Sequence, residues 1–367
     1  MKRCLKQEDR GRIKAEIALI ACLLALLLLY ASLASAAPNG PSSPAQVVTT
    51  TFKPVRLVYH QAEGETFRKP TGVFVDRVTG DVVVTDSGKD LVTVLSPEGV
   101  PLFAVGYNRE VPQPSQAVVD GRGRLLVLAG VPRKVKGFTY RGEPLGDFNY
   151  PGLAEAAQVV PTAMTVDEAG NLYIADGTSG RILVYSPEDR LLRTIGKRGQ
   201  EPGTFSSVTA ITVDQAGTVY VADAQHKPAI QVFDAQGIYV RGWGEHSGGP
   251  QNVSLPSGIA VDSAGRILVV DTIRQSILVF TREGGYLFRF GGLGTWPGAL
   301  AFPTGLDVDP AGRLYVTESL NARLQVFELN DAGSAPKGRA LPTPEAPSPV
   351  REEIRRGMGE FLKGIQK

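Results

Sequence analysis

Short apolar runs separated by polar turns repeat along most of the chain. Six segments share one pattern, in which a Ser or Thr opens an apolar run that closes with Val-Asp. The closing acids are spaced 44, 47, 47, 48 and 47 positions apart. These acids are Asp76, Asp120, Asp167, Asp214, Asp262 and Asp309. Self-similarity at this period predicts a repeat architecture of six units.

Each unit carries the same succession of strand and turn signals. A Gly follows the Asp by three residues in five units and by four in the first, and this spacing forms a tight hairpin because Gly adopts positive φ. A second apolar run, a third run and a further Gly turn before a fourth run complete the unit. The second run ends in an acid in five units, namely Asp86, Asp176, Asp223, Asp271 and Glu318. Four short antiparallel strands repeated six times predict an all-β, six-bladed β-propeller with four-stranded blades.

The two ends of the repeat region complement each other. The sixth unit stops after its third strand, at Phe327–Leu329, while Val55–Tyr59 precedes the first unit and has no partner of its own. We expect this N-terminal strand to be the fourth strand of the last blade, because closing the ring removes open sheet edges.

These residues resemble the NHL-repeat family, whose repeats read roughly P-x-G-I-A-V-D-x-x-G-x-x-Y-V-A-D before a strand ending in V-F. The resemblance covers residues 53–330. Unit two departs from the pattern, since Gly130 replaces the acid and Val131-Pro132-Arg133-Lys134 replaces the usual turn. The resemblance implies a propeller that acts as a binding platform, in bacteria often an exported or sensor domain. The family also includes cytoplasmic RNA-binding propellers and a peptide-amidating lyase.

The N-terminus carries an export pattern. Six Lys or Arg and three acids in residues 1–16 precede an uncharged stretch from Ile17 to Ala37. Such a stretch enters the bilayer while the Lys and Arg residues stay cytoplasmic. Residues 1–37 are therefore predicted to be a signal peptide cleaved near Ala36, or an uncleaved transmembrane anchor through residues 17–37, since about 20 apolar residues span the membrane core. Acylation of Cys22 is a third reading, but the apolar run continues well past it.

The remaining segments flank the propeller. Residues 38–52 and 331–348, both rich in Pro with Ser, Thr, Ala or Gly, are predicted to be linkers. Residues 349–367 form a predicted amphipathic helical tail, which three Gly residues weaken. Its apolar face comprises Val350, Ile354, Met358, Phe361 and Ile365. Docking on a partner, lying on a bilayer surface and a frayed tail all stay open for this segment.

Charge and cysteine content exclude several classes of function. The chain has a net charge of +2, and residues 51–330 hold 26 Lys plus Arg against 29 Asp plus Glu, a net of −3, which argues against nucleic acid. The two cysteines, Cys4 and Cys22, precede the exported part, which therefore has no disulfide and no thiolate nucleophile. No G-x-S-x-G, H-E-x-x-H or P-loop motif occurs, and we expect no cofactor.

The loops between second and third strands carry basic residues from every unit. In a propeller these loops and the connections between blades share one face, where binding usually occurs. The basic residues are Lys89, Arg133, Lys134, Arg181, His226, Lys227, Arg274 and Arg323. A basic ring at the channel mouth would favour a carboxylate-bearing partner. Alternatively, Arg181 and Arg323 pair with Asp176 and Glu318 of their own blades, a common arrangement without function.

The connections between blades add aromatic residues. Tyr107, Arg109, Tyr150 and Trp296 are candidate contacts for a protein partner, because aromatic residues and Arg are typical of interface hot spots. Three further aromatics precede blades at similar places and are expected to be packing plugs. These are Phe67, Phe205 and Phe302.

The six repeated acids are interpreted as turn residues, since six copies at one structural position argue for turn chemistry. A metal enzyme related to the lyases would need histidine ligands, and we do not expect His60, His226 and His246 to converge on the axis. No D-x-D-x-D-G calcium loop is present. We therefore predict no metal site.

The function predicted from sequence is a non-enzymatic binding scaffold, exported to the periplasmic or extracellular face and either membrane-anchored or released. A protein or peptide would bind on the loop face and the channel mouth. Two alternatives stay open, a metal-dependent propeller enzyme of lyase or lactonase type and a structural component of an envelope complex.

Overall fold

The computed structural model describes residues 49–106, 110–154, 158–247, 249 and 251–332. The predicted signal or anchor segment, the C-terminal tail, Tyr107 and Arg109 lie outside these residues. Apart from a 3₁₀ turn at Ala62–Gly64, the regular elements are strands, which form six four-stranded sheets. Within this part of the chain, no helix is long and apolar enough to cross a membrane.

Five blades are built from four consecutive strands each, paired in sequence order. Blade 1 contains β2 (Pro70–Val75), β3 (Val82–Asp86), β4 (Leu91–Leu95) and β5 (Pro101–Val105). Blade 2 contains β6 (Gln116–Val119), β7 (Leu125–Ala129), β8 (Lys134–Phe138) and β9 (Pro144–Asp147). Blade 3 contains β10 (Pro161–Val166), β11 (Leu172–Asp176), β12 (Arg181–Tyr185) and β13 (Leu191–Ile195). Blade 4 contains β14 (Val208–Val213), β15 (Val219–Asp223), β16 (Ile230–Phe233) and β17 (Tyr239–Trp243). Blade 5 contains β18 (Pro256–Val261), β19 (Ile267–Asp271), β20 (Ser276–Phe280) and β21 (Tyr286–Gly291).

Blade 6 closes the ring with the N-terminal strand, as the sequence predicted. Its order from the outside inwards is β1 (Thr49–Val58), β24 (Arg323–Ala332), β23 (Leu314–Glu318) and β22 (Pro303–Val308). The six first strands contact one another in circular order, which makes the assembly a six-bladed propeller around a central axis. The closing strand is longer than expected, because it begins at Thr49 inside the predicted linker.

The middle strands explain why the apolar runs are continuous rather than alternating. Every residue of β3, β7, β11 and β15 is buried, since both faces of each blade are covered by neighbouring blades. The outer strands alternate instead, as β21 does with its intermediate and exposed positions. The small residues at the innermost strands allow close approach: a Cβ on Gly72 would lie 2.5 Å from the Ser115 carbonyl oxygen.

Antiparallel pairing gives the propeller two distinct faces. The turns from first to second and from third to fourth strands lie at one end, which we call the hairpin face. The turns from second to third strands and the connections between blades lie at the other end, which we call the loop face. Strands β1 and β24 continue past the hairpin face, pairing from Pro54 with Phe327 to Thr49 with Ala332. Thr49 and Ala332, the outer ends of these two strands, are therefore paired with each other beyond the hairpin face.

Candidate functional site

A central cavity of about 400 Å³ lies among the six first strands. One Ser or Thr from every blade lines it, and Arg133 of the blade 2 loop also contributes to its lining. The six hydroxyl residues are Thr71, Ser115, Thr162, Thr209, Ser257 and Thr304. They hold the first position of the repeated segments, so the same residues that open each blade in the sequence surround the axis at the loop face.

Several of these hydroxyls join neighbouring blades. Thr71 Oγ1 donates to the Pro114 carbonyl at 2.9 Å and Thr209 Oγ1 to the Pro256 carbonyl at 2.8 Å. Thr304 Oγ1 makes the same contact across the closing junction, 3.3 Å from the Pro70 carbonyl. The residue before each blade is usually Pro, which leaves its carbonyl as an acceptor. The ring of hydroxyls thus stabilises the cavity wall, and most of its donors are already satisfied.

Asp307 is the carboxylate that lines the cavity. Its Oδ2 accepts the Val75 amide of blade 1 at 2.8 Å, and its Oδ1 accepts the Val308 amide and lies 3.6 Å from Arg77. Burial raises the pKa of Asp307, and Arg77 opposes this rise. At the blade 2–3 junction, Gln116 accepts the Met164 amide in a similar way. Both side chains therefore satisfy backbone amides of a neighbouring blade, which is a structural role.

The six repeated acids lie in the first hairpin of each blade. In blade 3 the Asp167 amide donates to the Asn171 carbonyl, the Gly170 amide donates to the Asp167 carbonyl, and Asp167 Oδ1 accepts the Asn171 amide at 2.8 Å. Tyrosines on the following strands donate to the second carboxylate oxygen in three blades. These pairs are Tyr173–Asp167, Tyr220–Asp214 and Tyr315–Asp309.

The acids that end the second strands hold the incoming connections between blades. Asp223 accepts the amides of Ser206 and Ser207 at 2.7 and 2.9 Å, and Asp86 accepts those of Arg68 and Lys69. Asp271 and Glu318 act similarly in blades 5 and 6. These carboxylates are fully buried in the described structure, so they position the loop face without being part of its surface.

Most of the predicted basic residues form ion pairs or hydrogen bonds with other residues of the chain. Lys89 pairs with Glu65, Lys134 with Asp147 and Lys227 with Glu245. Arg274 pairs with Asp271 and donates to the Ser247 and Gly249 carbonyls.

The remaining basic residues differ in exposure. His226 is fully buried, with Nε2 3.2 Å from the Glu201 carbonyl. Arg133 is exposed and makes no ion pair among the described residues. Arg181 also makes no ion pair among the described residues but is only partly exposed, so Arg133 is the exposed unpaired cation of the predicted ring, and it lines the cavity.

The two predicted pairs within a blade have different outcomes. Arg323 and Glu318 form a buried ion pair at 2.6 Å, with Arg323 only 1% exposed. Arg181 lies opposite Asp176 in the strand register, but its buried Nε has no hydrogen-bond partner in the described structure. Arg323 is thus part of the protein interior and does not belong to the loop-face surface.

The candidate aromatic residues also separate into two groups. Trp296 is 64% exposed, whereas Tyr150 is half-buried and packs edge-on against Phe148 with ring centroids 5.4 Å apart. Burial raises the pKa of Tyr150 well above its usual value, with smaller contributions from Tyr185 and nearby acids.

One predicted packing plug is wrong. Phe67 and Phe205 are buried as expected, but Phe302 is 49% exposed. The buried plug of that connection is Leu300, three residues before the first strand of the blade, where Phe67 and Phe205 also stand relative to theirs. The sequence interpretation therefore placed the plug of this connection two residues too far along the chain.

Two buried glutamines that the sequence interpretation missed hold the connections between blades. Gln231 Oε1 accepts the Gly203 amide and its Nε2 donates to the Thr204 carbonyl, both at 2.8 Å. Gln325 does the same with the Gly298 amide and the Ala299 carbonyl. A sequence signal that could have identified them is the Gln within two otherwise apolar motifs of the third strands, Ile-Gln-Val-Phe and Leu-Gln-Val-Phe.

The described residues contain no group of three His, Cys, Asp or Glu that could hold an ion. His246 Nε2 lies 2.9 Å from the His226 carbonyl, so these two loops meet through a backbone oxygen, while His60 forms an isolated bridge with Thr66. Hydroxyls, Gln116 and an already bonded Asp307 are the polar side chains that line the cavity together with Arg133.

The NHL repeat, a known family model, matches residues 300–327, which comprise most of blade 6 and its incoming connection. The other five blades repeat the same four strands, the acid in the first hairpin and the acid at the end of the second strand, except that Gly130 replaces the second acid in blade 2. The chain is a six-bladed propeller whose last blade is similar to the NHL repeat. No curated protein sequence matches it.

Several solved structures share this propeller fold at low sequence identity. Virginiamycin B lyase from Staphylococcus aureus is 16% identical with a TM-score of 0.51, over 78% of this chain and 90% of that one. A gluconolactonase from Xanthomonas campestris is 14% identical with a TM-score of 0.54, over 76% and 98%. A luciferin-regenerating enzyme is 13% identical with a TM-score of 0.54, over 77% and 96%. At these identities the likeness shows the fold alone.

Proposed function

We propose that this NHL-repeat propeller is an exported, non-catalytic scaffold that binds a protein or peptide on its loop face. The observation that carries the proposal is the distribution of exposed apolar side chains. Among the described residues, six large hydrophobic side chains are at least 64% exposed, and five of them belong to the loop face. These five are Val131, Ile273, Leu293, Trp296 and Leu320. Exposed apolar residues gathered on one face are typical of a protein interaction surface.

The charges of the loop face support the same proposal. Arg133, next to exposed Val131, lines the cavity mouth and makes no ion pair among the described residues, so it can meet a carboxylate of a partner there. Arginine next to apolar side chains is a favourable combination for a protein partner, since the guanidinium also packs on apolar surfaces.

The export pattern of residues 1–37 supports the exported part of the proposal. The segment would act either as a membrane anchor through residues 17–37 or as a signal peptide cleaved near Ala36.

The test compares two sets of substitutions in the full chain expressed in its native host. Val131→Asp, Leu293→Asp and Leu320→Asp alter the loop face, at positions 64–85% exposed. Val100→Asp with Ile238→Asp alter positions on the hairpin face that are 57% and 65% exposed. Proteins cross-linked to the wild-type chain should be lost with the first set and kept with the second. Equal recovery with both sets would refute binding on the loop face.

A propeller enzyme is the second candidate, favoured by the cavity of about 400 Å³ on the axis and by fold neighbours named as a lyase and a lactonase. Metal analysis of the purified full chain separates the candidates. Stoichiometric zinc or calcium that survives dialysis would support the enzyme and contradict the scaffold. A metal-free protein whose thermal unfolding is unchanged by a chelator is the result expected for the scaffold.

A further inference from the structure

Five exposed apolar side chains lie on loops of blades 5 and 6 at the loop face. We define the Trp296 surface as Ile273, Leu293, Trp296, Phe302 and Leu320. Hydrogen bonds join the three loops that carry them: the Leu320 amide donates to the Ala301 carbonyl, and the Phe302 amide donates to the side-chain oxygen of Gln275, two residues from Ile273. The Gly292 amide also donates to the Gln275 carbonyl at 2.7 Å. The five side chains are therefore carried by loops that are bonded to one another.

The Trp296 surface is held rigid from below by buried polar side chains. Arg323 donates to the carbonyls of Thr295 at 2.7 Å and Ala299 at 3.0 Å, and Asn321 donates to the Gly294 carbonyl at 2.9 Å. Trp296 itself packs on Gly294, where a Cβ would lie 2.5 Å from the indole ring. A surface fixed in advance loses little conformational entropy on binding, which favours its use as a docking site.

This surface is also electrically neutral. No charged residue occurs from Phe290 to Leu306, and the neighbouring Arg274 and Arg323 are neutralised by Asp271 and Glu318. The occupant must therefore present apolar side chains without a buried charge, since an unpaired charge at such a contact is costly.

The chain contains one segment outside the described structure with this chemistry. Val350, Ile354, Met358, Phe361 and Ile365 recur at helical spacing, so they share one apolar face in a helix while the Arg, Lys and Glu residues between them occupy the remainder. We propose that residues 350–365 dock on the Trp296 surface of the same molecule.

The connecting chain is long enough for this contact. Strand β24 ends at Ala332 beyond the hairpin face, and its ten residues rise by about 33 Å from the loop face. Residues 333–349 span up to about 58 Å when extended, so they can return along blade 6 to the loop face. Blade 6 carries Leu320 and lies next to the Trp296 loop, so the return path is the shortest available to the tail.

The docking proposal goes beyond the proposed function, because a contact within one molecule requires no external partner and can be measured in the isolated chain. Only its consequence, that the tail and a partner would compete for the loop face, rests on that function. Failure of docking would therefore leave partner binding on the loop face intact, and loss of partner binding would leave docking intact.

The test uses the fluorescence of Trp296 in a Trp243→Phe background, where it is the single tryptophan. Full-length chain is compared with a chain ending at Pro347. Removing the tail should raise the acrylamide quenching constant at least about twofold, because docking covers an indole that is otherwise 64% exposed. A synthetic peptide of residues 348–367 should restore the protection, whereas the same peptide with Ile354→Asp and Phe361→Asp should not.

The same two substitutions in the full-length chain provide a second test that does not shorten the protein. They should reproduce the quenching of the truncated chain. Equal quenching in wild-type, truncated and doubly substituted chains would overturn the proposal. Protection that depends on protein concentration would instead assign the surface to a second copy, and protection that requires anionic lipid vesicles would assign it to a membrane, and either result also overturns docking within one molecule.

Discussion

At the scale of single residues, one carboxylate per blade satisfies several donors that a tight turn would otherwise leave unbonded. Asp309 accepts the Arg313 amide at 2.8 Å, Arg313 Nε at 2.6 Å and the Tyr315 hydroxyl at 3.2 Å. Asp234 shows the simpler case in an exposed turn, where it accepts only the amides of Gln236 and Ile238. Burial and the number of donors decide how much each acid contributes to stability.

Substitution of Asp309 should therefore cost more than substitution of Asp234. We expect Asp309→Ala to lower the free energy of unfolding by about 3 kcal/mol, since it leaves a partly buried guanidinium and a tyrosine unpaired. Asp234→Ala should cost about 1 kcal/mol, the value of an exposed turn bond. Urea unfolding followed by circular dichroism measures both, and equal losses would contradict the assigned role of the buried acid.

The tyrosines bonded to turn acids predict alkaline sensitivity. Burial, aided by Asp214 and Asp309, raises the pKa of Tyr220 and Tyr315 to about 12. Because the folded-state pKa exceeds the unfolded value of about 10, their contribution to stability is complete below pH 10 and is lost as pH rises towards 12. Ultraviolet titration should show phenols that ionise above the ordinary range. Tyr315→Phe should weaken the pH dependence of stability, and an unchanged dependence would refute this origin.

At the scale of strands and loops, the sequence predicted what short-range chemistry determines. Strands β16 and β17 follow the predicted order of a third apolar run, a Gly turn and a fourth run, because Val, Ile and aromatic residues beside a Gly turn suffice to define them. Contacts distant in sequence escaped prediction. The sequence interpretation placed Lys89 and Lys227 in a basic ring. In the structure they pair with Glu65 and Glu245, which belong to other connections. Leu300 is the buried plug in place of Phe302. The length of this connection is irregular, so the sequence alone does not show which of its apolar residues points inwards.

The glutamine clamps predict a local loosening of the loop face. Gln325→Leu keeps the side-chain volume but removes the bonds to the Gly298 amide, the Ala299 carbonyl and Glu318. The Gly298 amide loses the Gln325 acceptor, whereas Arg323 still donates to the Ala299 carbonyl. We expect faster amide hydrogen exchange in residues 294–301 and a loss of about 2 kcal/mol in stability. Gln231→Leu should act on residues 201–205 instead. Exchange that rises uniformly over the protein in either variant would contradict a local clamp.

At the scale of the whole molecule, the ring is closed by strand pairing within blade 6, where residues from the two ends of the propeller meet. Val58 packs with Leu324 and Val326 across this closure, and Phe52 stacks on Phe290 of blade 5 at 4.5 Å. Every other blade draws its four strands from one continuous segment. The stability of the complete ring therefore depends on pairing between strands from its two ends, which the sequence predicted from the missing fourth strand of the sixth unit.

The closure can be tested with two substitutions on the same strand. Val58 is 7% exposed and faces the blade core, whereas Val55 is 43% exposed at an irregularity in the strand pairing. Val58→Asp should lower the free energy of unfolding by about 3 kcal/mol, because it buries a charge without a partner, and should lower Tm by roughly 6–12 °C. Val55→Asp should change Tm by no more than about 2 °C, as expected for an exposed site. Deletion of Val55–Tyr59 should be more severe than either, since β24 would lose its outer neighbour. Thermal unfolding that is the same for Val58→Asp and Val55→Asp, or unaffected by the deletion, would mean that the ring does not depend on β1 for its closure.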